Sequence, residues 1–345
     1  MYALNSALIQ MTLRRIVLNS ETKLASILSE QRIAASDLLW LHMLNKRKLD
    51  ALDALPVSLF RINYRSLEIG RLGVDDDVFE NACIRLSMIM ETIAFSVTNK
   101  TNSLISIGFD MDAFDRFRAE PFLRRLLLIQ RGDFSVGTRC DLKSLELNPK
   151  DMNSQLRDCI RIILGDYKYL SKHKPKSFGR IRDWNLEMMG AETIATNLLK
   201  EGVTPKLVIA HVGLPEKVTS IHRRLRREHL VMPKGGGRIG THSIPIERSP
   251  FHAMLFLAIY VMLANQPMNR INGFGFTRSL REYKLICGYI GMTEDDMLDA
   301  SECWLIASGY RAQDVTLDSC MSCKTMTILD RKASSQCAWC GQQQA

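Results

Sequence analysis

Four cysteines near the end of the chain constrain its fold more than any other feature. They stand as Cys320-x2-Cys323 and Cys337-x2-Cys340, with a 13-residue spacer between the pairs. Each CxxC turn directs two thiolates to one point, and the spacer, KTMTILDRKASSQ, is long enough to return as a short hairpin that joins the pairs. Four thiolates complete a tetrahedral zinc ion and leave no place for an activated water. The expected cofactor is therefore one structural zinc ion on Cys320, Cys323, Cys337 and Cys340, in a ribbon over 318–342. Two other chemistries use the same residues. Thiol exchange suits a CxxC pair but lacks its strand-then-helix context here. An iron–sulfur cluster also takes four cysteines, but paired knuckles around a short polar spacer are the zinc-ribbon pattern. Trp339, between the last two ligands, is expected to pack on the ribbon.

The remaining five cysteines, Cys83, Cys140, Cys159, Cys287 and Cys303, lie among apolar neighbours as small core residues do. Reduced thiols of this kind fit a cytoplasmic protein. The N-terminal MYALNSALIQMTLRRIVLNS lacks the charged start and apolar run of a signal peptide. The most apolar stretch, FHAMLFLAIYVMLA (251–264), is too short for a bilayer and reads as a buried helix, so no membrane partner is expected. A chain of 345 residues has room for at least two compact units. Its 46 Lys and Arg against 37 Asp and Glu leave a net charge of +9, which points to an anionic partner, nucleic acid first.

Helical patterning dominates, and the fold class expected is mainly α: two helical domains, the second with a helix-turn-helix-like unit and the four-cysteine ribbon. Ser36 is placed to cap a single helix through DLLWLHMLNKRKLDALDAL that stops before Pro56. A second helix starts after Gly73, where Asp75, Asp76 and Asp77 suit the first-turn dipole. SLISIGF (103–109) alternates like a short strand. Domain limits are expected at 1–165, a basic linker at 166–187 around KYLSKHKPKSFGRIRDW, and 188–345.

The second half opens with three short helices. One runs from about Ala191 to Glu201 and stops at Gly202; the next is capped by Thr204, has Pro205 in its first turn and runs through His211. After Gly213-Leu214, Pro215 starts a third that reaches about His229. Val218, Ile221 and Leu225 make its apolar stripe, while Lys217, Ser220, Arg223, Arg224 and Arg227 point elsewhere. A short helix, a glycine turn and a basic amphipathic helix form a helix-turn-helix pattern, whose third helix would enter a major groove. A solvated helical hairpin has the same pattern. Between Lys206 and Arg238 stand eight Lys or Arg against two acids, Glu216 and Glu228, which suits phosphate contact. The following MPKGGGRIGTHSIP lacks GxxxxGK[ST], so Lys234 and Arg238 read as backbone contacts on a flexible loop.

The order of these segments resembles a known family, the FlhC subunit of the flagellar master transcriptional activator and its relatives on mobile elements. GVTPKLVIAHVGLPEKVTSIHRRLRRE followed by MPKGG, then FHAMLFLAIY, then LDASECWLIASGYRAQDVTLDSCMSC are similar to the family's basic helix, PKG segment, HASMF helix and helix leading into the first knuckle. The similarity covers roughly 188–342. The spacer between knuckles is shorter here, and the paired glycines after the second cysteine are absent. In the first half, GRLGVDDDVFENACIRLSMIMETIAFSVTNKTNSLISIGFD looks like the RLG-initiated helices and short strand of the FlhD partner, and the helix at 36–54 suits its dimer-forming part. The resemblance implies a zinc-stabilised activator that binds double-stranded DNA, works with RNA polymerase, and assembles with itself or with an FlhD-like subunit. On this reading the expected DNA-binding residues are Lys206, Lys217, Ser220, Arg223, Arg224 and Arg227 for groove and phosphate and Lys234 and Arg238 for the backbone, and no residue is expected to be catalytic.

Two further classes are weighed beside it. One is a ribbon-bearing RNA-binding or protein-interaction factor. The other is a nucleic-acid enzyme, for which Asp110, Asp112 and Asp115 would be the Mg²⁺ ligands, although a helix start accounts for them as well.

Overall fold

The computed structural model describes residues 35–64, 108, 134–173, 190–230, 246, 249–263, 271, 273–331 and 335–344. The chain is mainly helical and ends in small antiparallel ladders that carry the four cysteines. It divides into two units, Met1–Phe178 with Leu285–Gly291, and Gly179–Lys284 with Met292–Ala345.

In the first unit the helix expected over 36–54 is two helices, α1 (Ala35–His42) and α2 (Lys46–Ala54). Asn45 makes the break. Its backbone is extended (φ −74°, ψ 163°) and its Oδ1 accepts the amide of Lys48 at 2.9 Å, so the side chain caps a new helix where propensity alone would continue the old one. Ser36 lies inside α1 and does not cap it. Leu41 and Leu52 are buried, whereas Leu49 is exposed. The stop before Pro56 holds: Leu55 is extended (ψ 134°), as sterics require shortly before proline.

Strand β1 (Phe60–Tyr64) pairs antiparallel with β2 (Phe134–Thr138), Phe60 opposite Thr138. Helix α3 (Met152–His173) follows. Its buried Asp166 receives the Nε of Arg61 at 2.9 Å and the Nε of Arg139 at 2.6 Å, tying both strand ends to the helix. Asp158, about two helical turns earlier, accepts the amides of Glu146 and Leu147, each at 2.9 Å. Because α3 continues to His173, the linker expected from 166 starts inside a helix; 174–189 lie outside the described residues. So do the RLG segment with Asp75, Asp76, Asp77 and Cys83, the acids Asp110, Asp112 and Asp115, and the 103–109 strand apart from Gly108.

The second unit contains α4 (Ala191–Lys200), α5 (Pro205–Val212), α6 (Pro215–Arg227), α7 (Pro250–Leu263), α8 (Gly273–Ile290, grouped with the first unit from Leu285 on) and α9 (Ala300–Arg311). α7 is apolar all round, and Ala253 through Tyr260 are buried without interruption. Phe256 meets Phe276 and Tyr283 edge-on at 5.8 and 6.0 Å, and Phe276 meets Trp304 of α9 at 4.9 Å. Asp299 and Glu302 start α9 with a reciprocal capping box. Among the described residues no helix is long and apolar enough to cross a membrane.

Candidate metal centre and basic helix

The cysteines sit at the tips of two ladders. β3 (Val315–Ser319) pairs with β4 (Met326–Asp330) around the first knuckle, and β5 (Ser335–Gln336) with β6 (Gln343–Gln344) around the second. The spacer does not fold back on itself as expected. It gives β4 to one ladder and β5 to the other, so each CxxC closes its own hairpin and the two tips meet. The knuckles repeat one turn. The amide of Cys320 donates to Thr325 O and that of Lys324 to Cys320 O; the amide of Cys337 donates to Gln342 O and that of Gly341 to Cys337 O. The residue after the second cysteine of each pair is left-handed, Gly341 at φ +70° and Lys324 at φ +58°. Glycine adopts this conformation without cost. Lysine adopts it with strain.

These turns bring all four sulfurs within 4.8 Å of one another, with Cys320 Sγ 3.7 Å from Cys340 Sγ and Cys323 Sγ 3.8 Å from Cys337 Sγ. Cys320 and Cys337 are buried, Cys323 and Cys340 exposed. Burial opposes a charge on Cys320, but the amides of Cys323 and Ser322, which donate to its sulfur at 3.4 and 3.3 Å, prevail and draw the thiol down to about 6. Cys340 moves the opposite way, up to about 11: the Gln342 amide favours its thiolate, but burial and the neighbouring thiols outweigh it. The Cys320 sulfur is thus readily anionic, while that of Cys340, 3.7 Å away, resists following. A cation among them removes that conflict, so the donor set fits a metal ion. Cys159 differs; burial pushes its thiol well up, as in an inert core position.

The ribbon is fastened to α7. Trp339 Nε1 donates to Met326 O at 2.8 Å, so the ring packs on the ribbon, and it makes a T-shaped contact with Phe251, ring centroids 5.0 Å apart. The buried Thr327 hydroxyl lies 3.9 Å from Met254 Sδ and accepts the Ala338 amide at 3.4 Å.

Helices α4, α5 and α6 pack pairwise. Pro205 and Pro215 stand in the first turns of α5 and α6, where a missing N–H costs nothing. Gly213 ends α5 at φ +73°, the left-handed stop that lets α6 begin two residues later. Thr204 holds the N-cap position of α5 without a side-chain cap bond; its amide instead donates to Ser301 Oγ of α9 at 3.2 Å. On α6, Val218, Ile221 and Leu225 are buried, and Lys217, Ser220, Arg223, Arg224 and Arg227 are all exposed. Lys206 on α5 is exposed too.

The exposed set is not uniform. Lys217 is ion-paired to Glu192 of α4, and the Thr219 hydroxyl donates back to Pro215 O at 2.8 Å. Arg226, which the sequence did not single out, lines a cavity of about 750 Å³ together with His222, Glu294 and Asp295. Its position beside Arg227 was visible in the sequence, but nothing there showed that it shares a cavity with Glu294 and Asp295. Lys234 and Arg238 lie outside the described residues.

Fold and site define a mainly helical chain with a four-cysteine cluster able to hold a metal ion. Compared with protein-family models, curated proteins and solved structures, the chain matches none of them.

Proposed function

We propose that the chain is a sequence-specific, DNA-binding transcriptional activator of the flagellar master regulator type, a binding protein and not an enzyme. α4, α5 and α6 serve as its helix-turn-helix unit, and α6 faces the major groove of double-stranded DNA. One observation carries this reading: α6 turns Val218, Ile221 and Leu225 inward and leaves Ser220, Arg223, Arg224 and Arg227 outward with no protein partner among the described residues. Arginines that serve a fold are normally paired, as Arg61 and Arg139 are on Asp166. Lys206, Lys234 and Arg238 add phosphate contacts.

The cluster holds one zinc ion, because four cysteine sulfurs gathered within 4.8 Å of one another are the donor set of a structural zinc site. Its work is architectural: it keeps the two knuckles together on α7. The N-terminal domain at 1–165 supplies the FlhD-like part, so the chain assembles with itself or with an FlhD-like subunit, and RNA polymerase is the partner an activator engages. The site of action is the cytoplasm.

The test is binding to duplexes from the chain's own genome, to random duplex and to structured RNA across several salt concentrations. A specific activator prefers its own site by about a thousandfold or more over random duplex. Equal affinity for structured RNA would replace the reading with an RNA-binding one.

A further inference from the structure

The outer surface of α6 contains one straight row. Glu216, Ser220, Arg223 and Arg227 follow one another at spacings of four, three and four residues, which on an α-helix is a single line along the axis. The row lies opposite the buried Val218–Ile221–Leu225 stripe, all four side chains are exposed, and none has a hydrogen bond or ion pair among the described residues. The flanks differ. One carries Lys217, held by Glu192, with Arg224 beside it; the other carries His222 and Arg226, which line a cavity shared with Glu294 and Asp295. The row that can meet another molecule squarely is therefore the outer one, and it contains a carboxylate.

That carboxylate restricts how the helix can lie on DNA. The first-turn dipole accounts for Glu216 in the free protein, but not for its tolerance against a polyanion. Beside a phosphate it would be repelled. Over the floor of the major groove it meets neutral base edges, and the donor that a Glu side chain takes there is the N4 amino group of cytosine. Arg223 lies seven residues further along the row, about 10 Å at 1.5 Å per residue, or roughly three base steps at 3.4 Å. Its guanidinium matches the O6 and N7 acceptors of guanine. Ser220 lies between them and accepts either edge. Resting on the reading of α6 as the groove helix, we infer that the outer row reads the sequence: Glu216 selects a cytosine and Arg223 a guanine about three steps away, while Arg224 holds phosphate.

The experiment is selection from a randomised duplex pool by the full-length, zinc-loaded chain, run at one fixed salt concentration beside Glu216→Gln, Arg223→Ala and Arg224→Ala. All three substituted side chains are exposed, and unchanged helicity and zinc content are checked first. The wild type is expected to enrich a cytosine and a guanine at that spacing, each preferred by roughly tenfold. Glu216→Gln should change the cytosine to adenine, because a Gln amide pairs with adenine N6 and N7. Arg223→Ala should erase the guanine alone, and Arg224→Ala should keep both preferences while binding weakens on every sequence. If the wild type selects a site and the Glu216 and Arg223 variants select the same one, this assignment is wrong and the activator reading stands. If the wild type selects no duplex, both fail.

Discussion

The ribbon and α6 are built on opposite rules. In the ribbon the chemically active atoms face each other: four sulfurs converge, two of them buried, and the surrounding amides already point at them. On α6 Ser220, Arg223, Arg224 and Arg227 face outward, and the buried Val218, Ile221 and Leu225 behind them hold the helix in place. An inward site loses its shape when one member is lost. An outward site loses only that member's contact.

The largest effect that would break this contrast falls on the ribbon. Cys337→Ser should take zinc content from one per chain to near zero by metal analysis and melt the C-terminal strands. DNA binding should fall as a consequence, since structural zinc binding is itself folding free energy. Retained zinc with a folded ribbon would show that the cluster does not act as one unit. Next comes the inner stripe of α6: Leu225→Ala should destabilise the protein by about 2–5 kcal/mol in denaturant unfolding, because a buried leucine leaves a cavity.

Arg224→Ala, on the same helix one residue away, should leave stability within about 0.5 kcal/mol. It should reduce the slope of log affinity against log salt by about one, as expected for one lost phosphate contact. Acid separates the regions further. His252 on α7 is held below its ordinary range by burial, and its Nδ1 lies 2.8 Å from the Tyr283 hydroxyl, which also accepts the Leu298 amide. A depressed histidine contributes stability that is whole above pH 6.5 and is lost as pH falls through its lower folded value. Melting temperature from pH 7.5 to 5 should therefore fall more steeply for the wild type than for His252→Gln. Lys217→Ala, which breaks the exposed pair with Glu192, should cost no more than about 0.5 kcal/mol and leave the ribbon unchanged.

Much of this was legible in the sequence where the determinants are local. Gly202, Gly213, Pro205 and Pro215 delimit α4, α5 and α6 to within a residue or two, and the apolar run at 251–263 is the buried helix its composition demands. The cysteine spacing likewise gave the cluster. What failed depended on competition or on distant partners. Asn45 broke a helix that periodicity continued, because a side-chain cap outcompetes a weak propensity. The spacer was read as one hairpin because strand pairing is not local: β4 pairs backward with β3 and β5 forward with β6. Asp166 looked like the start of a basic linker, and only its contacts with Arg61 and Arg139, 105 and 27 residues away, place it inside. The pairing of Lys217 with Glu192 was hidden for the same reason.

The two rows of α6 share a backbone and nothing else. Changes in the outer row are expected to add independently of changes in the inner stripe, because the two lie on opposite faces of the helix. Such a helix can drift in sequence along one side for as long as the other is kept, and each step alters what is recognised without asking the fold to adjust.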